Sequence, residues 1–224
     1  MTAAQPRLIV FDLDGTLVDS QHTIVESMTA AFQGSGFPVP EARAIRRVVG
    51  LSLEVAVARL LPEEAQDEAL AVAERYRDAF LKVLARPDHE DPLYPGALEA
   101  LAALSQPETC LGIATGKGRG GLQRVLQKHG IRDRFVTLQT ADDGPSKPDP
   151  GMLHRAMAAA GIEAERCLMI GDTTFDMEMA RRAGVAALGV SWGYHEVAEL
   201  STAGARRILE RFDELPDAVT DLLP

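Results

Sequence analysis

The sequence predicts an α/β protein, a doubly wound parallel sheet with an all-helical unit inserted after its first strand. Three observations carry this. Leu8-Ile9-Val10-Phe11 is a short apolar run closed by Asp12-Leu13-Asp14-Gly15-Thr16, the pattern of a buried parallel strand that ends in a loop. From Pro95 onward apolar runs alternate with helical patterns, as βαβ units require. Between Thr16 and Pro92 the spacing is helical throughout, with no strand pattern.

Asp19 and Ser20 can cap a helix that carries Ile24, Val25, Met28, Ala31 and Phe32 and stops near Gly34-Ser35-Gly36. A second helical pattern runs from Glu41 to Val49 and ends at Gly50. A third spans roughly Ser52 to Leu61, and a long fourth runs from Glu63 to about Leu84. The fourth has acids early and Arg75, Arg77, Lys82 and Arg86 late, as the helix dipole favours. Arg86 to Pro95, rich in Pro and Asp, reads as the return connection. Pro95-Gly96 opens a helix to Ser105. Strands are expected at Thr109–Thr115, Phe135–Leu138, Arg166–Ile170 and Val185–Val190, and helices at Gly118–Gly130, Pro150–Ala160 and Phe175–Ala183. The tail from Val197 to Pro224 holds a short apolar run at Ala205–Leu209 and a terminal helix, with no task beyond packing. This division puts residues 1–18 and 92–224 in a Rossmann-like core and residues 19–91 in the helical unit.

A chain of 224 residues suffices for a full core plus an insertion. Its net charge of −10 disfavours nucleic acid as a partner, because phosphate contacts need clustered Lys and Arg. An anionic substrate would need cations placed locally. Cys110 and Cys167 lie in apolar runs and read as buried strand residues, with neither a disulfide nor a C-x-x-C metal pair expected. Met1 to Pro6 lack the apolar region of a leader, and no stretch approaches the ~20 apolar residues of a membrane span. A cytoplasmic location with no membrane partner is the default, and assembly is left open between monomer and homodimer.

Chemistry gathers at the predicted strand ends. Asp12 and Asp14 should sit at the carboxyl edge of the sheet, where open α/β folds bind ligands. Two close, buried carboxylates are costly unless a cation compensates them, and hard oxygen ligands suit Mg²⁺. By itself the stretch also fits an acidic turn. The second strand ends in Thr115-Gly116-Lys117, where a hydroxyl and backbone N–H groups can hold a phosphate or simply cap the next helix. Two prolines in Lys147-Pro148-Asp149-Pro150 hold Lys147 on fixed backbone before a helix, although a surface lysine would fit equally. Met169-Ile170-Gly171-Asp172-Thr173-Thr174-Phe175-Asp176 repeats the opening theme. Asp172 can be a second carboxylate for a metal, and Asp176 either an outer group that orients it or a helix-start acid.

In order, D-x-D-G-T, the strand-end Thr, the Lys and G-D-x-x-x-D resemble the haloacid dehalogenase superfamily of phosphohydrolases over about residues 7–20 and 95–195. The helical insertion resembles that family's small helical cap. Gly50-Leu51-Ser52-Leu53 and Val190-Ser191-Trp192-Gly193-Tyr194 resemble its phosphoglycolate phosphatase-like group. The resemblance implies a Mg²⁺-dependent phosphatase acting on a small phosphorylated metabolite, with 2-phosphoglycolate the first candidate. Asp12 would then be the nucleophile, forming an aspartyl-phosphate. Asp14 would be general acid and later base, and would lend its backbone carbonyl to the metal. Asp172 would supply the second carboxylate ligand, with Asp176 outside it. Thr115 and the Gly116 N–H would hold phosphoryl oxygens, and Lys147 would balance the charge of Asp12 and the phosphate.

The insertion would act as a lid hinged near Thr16–Ser20 and Arg86–Tyr94. Ser52, Arg46 and Arg47 are its candidates for choosing the leaving group, though the two arginines also fit an exposed face. His22 reads as solvated, His195 can stand at the rim or apart from it, and the Trp192-Gly193-Tyr194 loop reads as packing. The alternatives are a sugar-phosphate mutase, whose relatives carry Arg directly after a Gly-x-Ser where this protein has Leu53, and a pyrophosphatase. A dehalogenase or a phosphonatase would lack the acid at Asp14. The phosphonatase also needs a cap lysine, for which only Lys82 is present. An idle phosphate-binding protein is set against the intact acids, Lys and Thr.

Overall fold

The computed structural model describes residues 5–223. Met1–Ala4, and so most of the segment read as lacking a leader, lie outside the described residues, as does Pro224 at the end of the tail. Six strands form one parallel sheet: β1 (Arg7–Phe11), β2 (Thr109–Ala114), β3 (Phe135–Gln139), β4 (Cys167–Gly171), β5 (Ala186–Val190) and β6 (Arg207–Leu209). Their spatial order is β3-β2-β1-β4-β5-β6, so the strand order reverses direction across the sheet at β1. That reversal opens a crevice at the carboxyl ends of β1 and β4, where such sheets bind ligands.

Alternation within β1 sorts the two faces, because successive strand side chains point opposite ways. Ile9 and Phe11 join Leu111, Ile113, Leu168, Ile170 and Leu188 under α5 (Ala97–Leu104), α6 (Arg119–Lys128) and α10 (Leu215–Leu222). Leu8 and Val10 join Cys167, Met169 and Ala187 under α7 (Gly151–Ala160), α8 (Thr174–Arg182) and α9 (Val197–Ala203). Covering helices on both faces explain why the central strands read as continuous apolar runs. Cys110 and Cys167 are both free thiols on strands; Cys167 is buried and Cys110 half-buried.

Between β1 and α5 lie α1 (Gln21–Gln33), α2 (Ala42–Arg46), α3 (Leu53–Leu60) and α4 (Ala69–Leu84). They close over their own cluster of Ile24, Met28, Phe32, Ile45, Val57, Leu61 and Val72. The outgoing and returning connections to this layer run side by side: Val18 pairs antiparallel with Leu93, and the Asp19 N–H donates to Pro92 O at 2.9 Å. Asp91 anchors the return connection. Its Oδ1 accepts from Thr23 Oγ1 at 2.6 Å, and its carbonyl lies 2.9 Å from His129 Nε2 on the core.

Three elements differ from the sequence reading. Residues Glu63–Glu68, after Pro62, form a 3₁₀ turn, so the long fourth helix begins only at Ala69. The second helix is the short Ala42–Arg46. The apolar run at 205–209 contains β6, and α9 precedes it. A three-residue strand beginning with an exposed arginine offers too little alternation to register as one. No helix among the described residues is long and apolar enough to cross a membrane.

Candidate active site

Register carries the site. β1 pairs with both neighbours at Phe11, which stands across from Ile113 and Ile170. One residue further, the Asp12 N–H donates to Ile170 O at 2.9 Å. Asp12, Thr115 and Asp172 therefore emerge together at one sheet edge. Asp12, Asp14, Thr115 and Gly116 line a single cavity of about 440 Å³ whose outer wall is the helical layer. Behind Asp12, one oxygen each of Asp12, Asp172 and Asp176 come within 4.8 Å of one another, all buried.

Lys147 enters this cluster fully buried, with Nζ 2.9 Å from Asp12 Oδ1 and 2.6 Å from Asp176 Oδ1. Asp176 Oδ2 accepts from Thr173 Oγ1 at 2.7 Å and from the Thr173 N–H at 3.1 Å, a capping box that starts α8. Asp176 thus holds Lys147 and the helix start. The expectation that it orients Asp172 finds no contact. Asp172 is oriented instead by Thr16 Oγ1, which donates to Oδ1 at 2.8 Å, and by the Tyr194 N–H, which donates to Oδ2 at 2.9 Å. Trp192 Nε1 donates to Thr16 O at 3.0 Å, so the loop read as packing also braces Asp172 through Thr16. The Asp14 side chain stands outside the cluster, with Oδ1 accepting from Ser20 Oγ at 2.6 Å and Oδ2 lying 3.1 Å from Lys117 Nζ.

Three buried carboxylates around one ammonium leave an excess of negative charge. The Asp12 carboxyl is pushed up to about 7, chiefly by burial, with Lys147 opposing and Asp176 adding to the rise. Burial, followed by the charges of Asp12 and Asp176, lifts Asp172 well above the usual carboxylate range. Burial alone would lower Lys147, yet Asp12 and Asp176 outweigh it and hold the ammonium above the ordinary lysine range. Asp12 Oδ2 is buried with no hydrogen-bond partner, and Oδ1 meets Lys147 as an ion pair off the hydrogen-bonding line. An all-oxygen donor set that is short of a cation, with an orphaned oxygen facing it, fits a hard divalent ion.

A family model described as haloacid dehalogenase-like hydrolase matches residues 9–190. The protein belongs to the haloacid dehalogenase-like hydrolase family. Within it, the protein is a phosphatase. It is 36% identical over 217 residues to the probable phosphatase IndB of Dickeya dadantii, covering 96% of this sequence and 94% of that protein. It is 33% identical over 227 residues to a phosphoglycolate phosphatase of Vibrio vulnificus, covering 98% of each. A crystal structure of a hydrolase from Pseudomonas syringae superposes with a TM-score of 0.86 at 28% identity, covering 97% of this protein and 100% of that one. The family's helical cap corresponds here to the layer formed by α1 to α4.

That layer is shut over the core by contacts that sequence reasoning did not find. Arg47 pairs with Glu199 of α9, His195 Nε2 lies 3.3 Å from Arg47 O, and the Ser52 N–H donates to Ser146 Oγ at 2.7 Å. His195 is buried and holds the start of α8, where the Thr174 N–H donates to its Nδ1 at 3.1 Å. Neither His195, Ser52, Arg46 nor Arg47 lines the cavity, whose cap wall includes Leu51, Leu53, Glu54, Tyr76, Arg77 and Phe80. His22 is exposed beside Glu26, and Lys82 is exposed late in α4. Gly116 marks a close approach of the two layers, because a Cβ there would run into Gly50 O and Leu51 O. Gly116→Ala is therefore expected to keep the fold and lower kcat on p-nitrophenyl phosphate by about 10- to 100-fold, since small misplacements at a closing site are costly. Wild-type kcat in the folded variant would show that this close approach is not needed for turnover.

Proposed function

We infer that this enzyme hydrolyses a small phosphomonoester through an aspartyl-phosphate on Asp12, with Mg²⁺ as cofactor. Asp12 carries the assignment: it is a fully buried carboxylate at the sheet edge with an oxygen that no protein group satisfies. Asp12 and Asp172, with the backbone carbonyl of Asp14, would hold the ion, and Asp176 stands outside them. A bound Mg²⁺ would screen the dianionic phosphoryl group from the attacking carboxylate and polarise its oxygens. Thr115 and Gly116 line the cavity, where the hydroxyl and the backbone N–H would hold phosphoryl oxygens, and Lys147 aims Asp12 and opposes its protonation. Asp14, steadied by Ser20, donates a proton to the leaving alkoxide and then takes one from water. Residues 19–91 act as the cap on a core of residues 1–18 and 92–224, with the Val18–Leu93 pairing as the hinge.

The names of the relatives make 2-phosphoglycolate the first substrate candidate. The cavity favours a second candidate class, a longer leaving group. At about 440 Å³, walled by Leu53, Tyr76 and Phe80, it has room beyond a two-carbon unit. Phosphate release from a panel of phosphomonoesters, with and without Mg²⁺ and after chelation, tests the proposal. Chelation should abolish at least about 99% of turnover, and Mg²⁺ should restore it. Full turnover in the chelated enzyme would remove the metal from the scheme, and no release from any ester would remove the phosphatase reading. Cytoplasmic residence and a small-metabolite partner complete the proposal.

A further inference from the structure

Lys117 lines the cavity and has no role in the scheme above. It follows the phosphoryl-binding pair Thr115-Gly116, and its side chain is only 12% exposed. Three contacts keep it from moving freely. Its stem lies over Gly121 of α6, where a Cβ would press on the Lys117 Cγ at 2.9 Å. Its ammonium sits 5.0 Å from the centroid of the Phe80 ring, on α4 of the cap. Its Nζ is 3.1 Å from Asp14 Oδ2. The other cations around the cavity are committed or remote. Lys147 is enclosed between Asp12 and Asp176, Arg77 is paired with Glu54, and Arg124 is exposed on α6. The remaining cap wall is mostly apolar, including Ile24, Met28, Ile45, Leu53 and Phe80.

We propose that Lys117 is the specificity-determining residue of this site. It reads a carboxylate carried by the leaving group within two or three bonds of the ester oxygen. This rests on the phosphatase reading above. An ester oxygen that takes its proton from Asp14 lies beside the carboxylate to which Nζ is bound. The next atoms of a short leaving group therefore come within reach of the same ammonium. A carboxylate there meets a desolvated, stacked cation and forms a charge-assisted hydrogen bond. A neutral hydroxymethyl group at that place gains much less and leaves Lys117 with Asp14. The Gly121 gap and the Phe80 platform set the depth at which the charge is read, so both cap and core define the substrate class.

The test compares wild type, Lys117→Met and Lys117→Arg on 2-phosphoglycolate and 2-hydroxyethyl phosphate. The second ester keeps the length and the alkoxide but lacks the carboxylate. p-Nitrophenyl phosphate is the third substrate, and thermal melting controls for folding. Wild type should prefer 2-phosphoglycolate in kcat/KM. Lys117→Met should lower kcat/KM on it by about 30- to 100-fold, mainly through KM, with a loss at least about tenfold smaller on 2-hydroxyethyl phosphate. Lys117→Arg should recover part of the loss, because the charge is kept. Equal losses on both alkyl esters would overturn the proposal and make Lys117 a positioning residue for Asp14. Wild-type indifference to the carboxylate would overturn it alone. Failure of the wild type on all three esters would bring down the phosphatase reading together with it.

Discussion

Asp12→Asn is expected to lower turnover by about a thousandfold or more while the protein stays folded. The amide keeps the shape but can neither attack phosphorus nor hold a divalent ion as a carboxylate does. The fold should tolerate the change because the carboxylate is a burden on the metal-free protein. Its folded-state value of about 7 lies above the unfolded 3.8, so the folded state binds the extra proton between those values. By linkage, stability of the chelated wild type falls as pH rises from about 4 to about 7, and the contribution is flat above that. Asp12→Asn removes this group's share of the fall. Melting curves of the chelated proteins across that range, beside phosphate release at saturating Mg²⁺, check both halves. A folded variant that retained most of the wild-type rate would deny Asp12 its role as nucleophile.

Lys147→Met should damage both stability and turnover. Its ammonium lies fully buried between Asp12 and Asp176, and removing it leaves two facing carboxylates with no cation. Breaking a buried pair in this way costs about 3–5 kcal/mol. The deficit should be largest at about pH 8, where the carboxylates are ionised in the unfolded state and must be kept so or neutralised in the fold. It should shrink towards about pH 5.5, because burial already favours protonation of Asp12. Saturating Mg²⁺ should return part of the stability, as any ion that binds only the folded state does. Denaturant titrations at the two pH values, with and without the ion, test this. A deficit independent of pH would mean that Lys147 matters for its packing and not for its charge.

The sequence was most informative where chemistry sits on β strands. Asp12, Thr115 and Asp172 could be assigned to one edge because parallel strands end on the same side, and no side-chain orientation was needed. The role of Asp176 was harder to read. Its spacing from Asp172 suits both a metal-side acid and a capping box, and only the approach of Lys147 and Thr173 distinguishes them. Lys117 stood in a recognised motif, but the direction of a long flexible side chain is set by Gly121, Phe80 and Asp14, which come from three different elements. Arg47 fitted both a leaving-group contact and an exposed face, and its partner, Glu199, lies some 150 residues further along, where no local pattern points to it. The bracing of Asp172 by Tyr194 runs through a backbone N–H, which carries no residue-specific signal. The strand β6 was missed because its pairing with β5, not its own pattern, makes it a strand.

The central place of β1 also governs how the molecule comes into being. Arg7–Phe11 is made first, yet its register partners begin at Thr109 on one side and at Cys167 on the other. During synthesis the helices between residues 21 and 84 can bury their own cluster long before either neighbour of β1 exists. Topologies of this kind assemble slowly, because distant segments must meet before any contact rewards them. Until then the apolar Leu8–Phe11 segment is an unpaired edge, the kind of surface that draws chaperones and aggregates. Truncation anywhere before β4 is complete would leave that edge open and Asp12 without its frame.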